Sequence, residues 1–146
     1  MSAHPTDHAG LEVLPFGECL RLLASVPVAR VGFFADGELV ILPVNHAVDG
    51  QDLVFRTARG TKLAAAEDQS LVAFEADEYD QQTGTGWSVL VNGRAEVVDG
   101  AADLRRLSHL GLHVWVLHAW VTAAQRAVWI RIRPASVSGR RIPGIR

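Results

Sequence analysis

The chain has 146 residues, 49% of them hydrophobic and 21% charged, with a formal net charge of −2 and a pI near 6.3. That is one domain's length, enough to bury a core, and the charge balance excludes broad attraction to nucleic acid or to an anionic membrane. The single cysteine, Cys19, excludes an internal disulfide.

The first ten residues, "MSAHPTDHAG", have neither the basic start nor the apolar run of a signal peptide and read as a loose tail, with residues 11–146 as one domain. "PFGECLRLLAS" sets Phe16, Leu20 and Leu23 at helical spacing, with Cys19 on the same side as a small buried residue. After Pro27 the texture turns to β. "VARVGFFA" ends at Asp36-Gly37, "ELVILPVNHAV" ends at Asp49-Gly50, and "DLVFRT" follows. Asp-Gly between apolar runs is a hairpin signal, because both residues tolerate positive φ, so three strands in a meander are expected. Pro43 cannot donate to a ladder, which places it at an edge or a break.

Next comes "RTARGTKLAAA", a strand end, a glycine and a predicted short helix starting at Thr61. A helix N-terminus offers unpaired N–H groups and a partial positive charge, and so a place for an anion. Arg56, Arg59 and Lys62 add cations, Thr57 and Thr61 add hydroxyls, and Gly60 lets the backbone approach closely. The set suits a phosphate monoester. It is not a Walker loop, since the spacing of glycines is wrong. The plain alternative is a solvated helix start.

"SLVAFEA" reads as a strand and "DEYDQQTGTG" as a polar loop. In "WSVLVNGRAEVV", Trp87, Val89, Val91, Ala95 and Val97 share one parity, which predicts one long half-buried strand bulged at Gly93 rather than a hairpin at Asn92-Gly93. "DGAADLRRLSHLG" reads as a helix with Asp99 as N-cap and Gly111 as its stop. Residues 112–124 are apolar without clean periodicity and too short to span a bilayer. "AVWIRIRP" is a final strand, and "GRRIPGIR" reads as a short basic tail. His109 and His113 have the spacing of a metal pair, but Gly111 interrupts them and no metal is expected. His118 has the chemistry of an axial haem ligand. Strands dominate, which gives a mainly β fold, a small antiparallel barrel with short helices.

The runs "LPVNHAVDGQDLVFRTARGTKL", "AFEADEYDQQTGTGWSVLVNGRAEVV" and "WIRIRPASVSGRRI", in that order, resemble the pyridoxamine 5'-phosphate oxidase-like family over roughly residues 12 to 142. The resemblance implies a six-stranded antiparallel split barrel, a homodimer, and FMN held in clefts between the subunits. It implies that Leu42, Pro43, Val44, Asn45 and His46 run beside the flavin ring, that Arg56, Thr57, Thr61 and Lys62 hold its phosphate, and that Trp87 and Ser88 lie near the cofactor, often from the partner subunit. Relatives with a deazaflavin or haem in place of FMN keep those cofactors as alternatives. The grip that true pyridoxamine 5'-phosphate oxidases have on their substrate is not recognisable, and the stretch "HVWVLHAWVTAAQRA" is more apolar than its counterparts.

His46 is the candidate catalytic residue, as a proton donor beside the ring; its plain reading is a hydrogen-bonded strand histidine. The expectation is a cytosolic flavin-dependent oxidoreductase acting on a small-molecule substrate or reductant. The rivals are a flavin- or haem-binding module without catalysis and a deazaflavin-dependent reductase. Trp129 and residues 112–124 are expected to add apolar surface to the dimer contact.

Overall fold

The computed structural model describes residues 4–58, 70–110 and 127–144. In chain order these form β1 (Glu12–Leu14), α1 (Phe16–Ala24), β2 (Val28–Ala35), β3 (Glu38–Asp49), β4 (Asp52–Ala58), β5 (Ser70–Asp80), β6 (Thr85–Val97), α2 (Ala101–Leu107) and β7 (Ala127–Pro143). All pairings are antiparallel. They run β7–β4–β3–β2–β5–β6, and β6 pairs back onto β7, which closes a ring of six strands with β1 laid against β7 outside it. This is the expected split barrel. Closure removes the free edges that a small open sheet would expose.

The turn chemistry explains the meander. Ala35 pairs with Glu38, so Asp36 and Gly37 make a two-residue loop, both at positive φ. Asp49 pairs with Asp52, so the next loop is Gly50-Gln51. The polar loop expected over "DEYDQQTGTG" is shorter than the sequence suggested: Asp80 pairs with Thr85, and the turn is only residues 81–84. The Asp80 carboxylate accepts from the Gln82 N–H at 2.9 Å, which satisfies the turn locally. β6 is one strand, as its parity predicted. Asn92 pairs with Ser136 but Gly93 with Pro134, leaving Ala135 over as a bulge. A Cβ at Gly93 would sit 2.4 Å from the Arg133 carbonyl oxygen, so no larger residue fits there.

Leu53, Phe55, Val31, Phe33, Phe74, Val89, Val91 and Ile132 alternate inward to form the main core. α1 adds Cys19, Leu22 and Leu23. It packs tightly on β7, where a Cβ at Gly139 would lie 2.5 Å from the Cys19 sulfur. The helical stripe is rotated from the expected one: Leu22 is buried and Phe16 is 44% exposed. A second core of Val54, Val98, Leu107 and Trp129 lies on the outer side of the sheet beneath α2.

Four further expectations are corrected. Residues 4–10 are not a loose tail: the Asp7 carboxylate accepts from Ala9 and Leu11 N–H groups, Val13 N–H donates to the Pro5 carbonyl, and Arg140 donates to Asp7 at 3.0 Å. "GRRIPGIR" is mostly strand, because β7 runs to Pro143 with Arg141 donating to Glu18 at 2.8 Å. Gly100, not Asp99, is the N-cap of α2, and it has no side-chain cap. The β6 alternation ends at Ala95, since Val97 is 43% exposed and Val98 takes the buried place. Gly111 and residues 112–124 lie outside the described residues.

Candidate functional site

The ladder between β3 and β4 holds from Asp49↔Asp52 to His46↔Phe55 and then stops, although both strands continue. Residues 42–45 keep their pairing to β2 on the other side, from Leu42↔Val31 to Asn45↔Val28, and β4 keeps its pairing to β7 through Arg56↔Trp129 and Thr57↔Val128. The barrel is therefore split between residues 42–45 and residues 56–58. Pro43 sits at this break, where its missing N–H costs no ladder bond to β4.

Polar atoms without partners gather here. Asn45 is 9% exposed, yet its Oδ1 is buried with no hydrogen bond, and the Arg56 Nε is in the same condition. Buried polar groups are nearly always satisfied, so orphans on both lips of one break mark a place built for a ligand. Arg56 Cζ lies over the Trp129 ring, 5.3 Å from its centroid. Thr57 is buried on the opposite face of its strand. Thr61 and Lys62, with Arg59 and Gly60, lie outside the described residues.

His46 belongs to the barrel interior. It shares parity with Leu42, Val44 and Val48, its ring meets Phe74 edge-on at 5.2 Å between centroids, and it is 6% exposed. Its Nε2–H donates to the Leu23 carbonyl at 2.7 Å, one of the last carbonyls of α1 that the helix leaves free. Burial pushes its pKa below the ordinary histidine value, against the smaller pull of the Leu23 bond. The ring is thus neutral with its one N–H committed, and Nδ1 is a buried acceptor without a partner. A proton donor beside a ligand, the expected role of the side chain, does not fit this geometry. Its backbone remains at the end of the split.

Trp87 and Ser88 are not beside the split. They lie on β6, with β7 between that strand and β4 and with β2 and β5 between it and β3. Trp87 lines a separate groove of about 260 Å³ with Glu12, Glu78, Asp80 and Arg141. Trp129, expected at a dimer contact, is instead 8% exposed beneath α2. Neither a metal cluster of three or more ligands nor a helix long and apolar enough to cross a membrane is present among the described residues.

Sequence reasoning missed one pair. Glu75 and Asp77 stand on the outer face of β5, each with a carboxylate oxygen 3.8 Å from Arg30 Nη1. Desolvation, with help from the Asp77 carboxylate, pushes Glu75 up to about 7. The signal was legible in "VAFEAD", where two acids alternate with buried Val72, Phe74 and Ala76.

Comparison with known proteins agrees with the fold. The pattern of the family described as pyridoxamine 5'-phosphate oxidase matches residues 16–141. An uncharacterised protein of Mycobacterium tuberculosis is 38% identical over 145 residues, covering 96% of this chain and 91% of its own. The FAD-binding protein of Mycobacterium smegmatis superposes with a TM-score of 0.75 at 36% identity, over 89% of this chain and 98% of its own. A FAD-binding protein of Mesorhizobium loti gives 0.74 at 26% identity, over 90% and 96%. Sequence pattern and fold together place the chain in the pyridoxamine 5'-phosphate oxidase-like family of split β-barrels.

Proposed function

We propose that the split between β3 and β4 holds a phosphorylated flavin and that the protein is a flavin-dependent oxidoreductase. The observation that carries this is the pair of buried orphans, Asn45 Oδ1 and Arg56 Nε, on the two lips of an unpaired stretch of sheet. They fit the group. A flavin ring is flat and carries imide and carbonyl groups along one edge, which suits the open backbone of residues 42–46 and the acceptor of Asn45. Its phosphate suits Arg56 on the outer face of β4, with Thr61 and Lys62 next in the chain, while the Thr57 side chain lies on the other face. A bound flavin supplies one- and two-electron redox chemistry; the chain holds and orients it and keeps water from one side.

FMN is the smallest ligand that meets the phosphate cluster. The FAD named for the relatives from M. smegmatis and M. loti supports the longer dinucleotide in the same place. Trp87 and Ser88 lie on a strand that borders neither lip of the split, and the proposal has β6 approach the cofactor from a second copy of the chain, in a homodimer.

Titration of the cofactor-free protein with FMN, FAD and riboflavin tests the reading through quenching of flavin fluorescence. Phosphorylated flavins are expected to bind at least about tenfold more tightly than riboflavin, given one or two charge-assisted bonds. Lys62→Ala should remove most of that preference and leave riboflavin unchanged. Equal affinity for all three ligands would overturn the phosphate assignment. The engaged state of His46 favours one second reading, a flavin-binding module without turnover. Anaerobic mixing of the loaded protein with NADH, NADPH or a reduced deazaflavin separates the two. An enzyme bleaches its flavin band faster than free flavin, and a module does not.

A further inference from the structure

Two arginines stand on the outer face of neighbouring strands and are held in opposite ways. Arg131, on β7, is 7% exposed and ringed by acid: it donates to Asp49 at 3.2 Å and lies 3.6 Å from Asp52. Arg56, on β4 directly across from Trp129, makes no ion pair among the described residues. Its company is the indole, with Cζ 5.3 Å from the ring centroid, and its Nε is buried without a partner. The indole is itself fixed. Trp129 is 8% exposed, packed with Val54, Val98 and Leu107, and its carbonyl accepts from the Val98 N–H at 2.9 Å.

The two environments do different things to a cation. A carboxylate holds a guanidinium but cancels its charge and repels an incoming anion. An aromatic face holds it by the ring quadrupole, leaves the full charge in place, and leaves the N–H groups free to donate. We infer that Trp129 is a positioning residue: clamped under α2, it holds the Arg56 guanidinium at the lip of the split with no carboxylate against it among the described residues, and so sets the preference of the site for a phosphorylated ligand. This rests on the reading of the split as a flavin site, and concerns the residue that orients the phosphate donor rather than the donor itself.

The same alternation explains why Trp129 is suited to the task. It alternates with Ile130 and Ile132, which fill the barrel, so the outer position is free to serve the second core and Arg56 together. A leucine there would keep apolar character, with less volume, and lose the quadrupole. A phenylalanine would keep a weaker one.

The test measures dissociation constants of FMN, FAD and riboflavin for the full-length wild type, Trp129→Leu, Trp129→Phe, Arg56→Lys and the double variant Arg56→Lys/Trp129→Leu, with melting temperatures alongside. Trp129→Leu is expected to weaken FMN and FAD by about tenfold and riboflavin by less than about twofold, and Trp129→Phe to restore most of the loss. In the Arg56→Lys background the Trp129→Leu change should add little, since the two residues act as a unit. A merely structural tryptophan would weaken all three ligands alike and add its full effect in the double variant; either result overturns the inference and leaves the flavin site standing. If the wild type binds no flavin, both fall. Should Trp129→Leu fail to fold, Trp129→Phe compared with Trp129→His carries the same decision, because imidazole at pH 8 has a weaker face than benzene.

Discussion

Glu75 and His46 carry opposite pH signatures. Glu75 is pushed up to about 7 from the ordinary carboxylate range, so between roughly pH 4.5 and 7 the folded protein holds a proton that the unfolded chain has released. Its contribution therefore falls as pH rises through that window and stays low above it. His46 is held below its ordinary value, so the unfolded chain takes up a proton first as pH falls below about 6.5, and its contribution is lost toward acid. Glu75→Gln should leave stability near pH 4 unchanged and raise it at pH 8. Urea midpoints at the two values decide the matter, and a gain independent of pH would refute the Glu75 assignment. His46→Ala removes a donor from the Leu23 carbonyl and leaves a hole beside Phe74, a loss of about 2–4 kcal/mol. Parity alone could have placed this ring, since His46 follows Leu42 and Val44 at steps of two. Its bond to a helix end 23 residues earlier could not be read from any local pattern.

The element that fixes the outer side of the sheet is α2. Without a side-chain cap and only seven residues long, it is too short to be stable alone. Leu107 buries it against Trp129 and Val54, and Arg106 pairs with Asp49, which Arg131 also holds. The two arginines differ in weight. Arg131 is buried, so removing Asp49 strands a charge, and Asp49→Ala should cost about 3 kcal/mol even with Asp52 nearby. Arg106 has a side chain 48% exposed, where solvent screens the pair, and Arg106→Ala should cost far less than Asp49→Ala. Chemical denaturation of the two variants checks the ratio; equal losses would contradict it. Elements of this kind show how far the sequence was legible. The hairpins at Asp36-Gly37 and Gly50-Gln51, the bulge at Gly93 and the break at Pro43 follow from backbone chemistry within a few residues. β1, the N-terminal turn and the last third of β7 depend on contacts such as Asp7 with Arg140, 133 residues apart, and the local composition there looked like two loose ends.

At the scale of the whole molecule, the proposal completes the site only between two chains. One chain offers the lips of the split on β3 and β4, while on β6, which borders neither, Trp87 packs into the barrel core and Ser88 lies on the outer face. The outer face of β2, β3 and β5 also carries Phe34, Leu39, Ile41 and Leu71, each at least 64% exposed, which is more apolar surface than a monomer of this size needs. The proposed two-fold dimer would set this patch against itself, and the shared-site reading requires each chain's β6 to reach the other's split. Two variants separate this from a site within one chain. Arg56→Glu puts a negative charge on the phosphate side, and Ser88→Glu puts one on the half-buried outer face of β6. Each purified alone should lose FMN and FAD. Co-expressed in equal amounts with different tags, they should recover about a quarter of the wild-type sites, because half of the dimers are mixed and each mixed dimer keeps one intact site of two. Light scattering should report a dimer for both variants, so that lost binding is not lost assembly. Recovery to about a quarter supports the shared site. If Ser88→Glu alone binds flavin normally, or if co-expression recovers nothing while mixed dimers are shown to form through their two tags, β6 does not reach across and each split binds its cofactor without the partner.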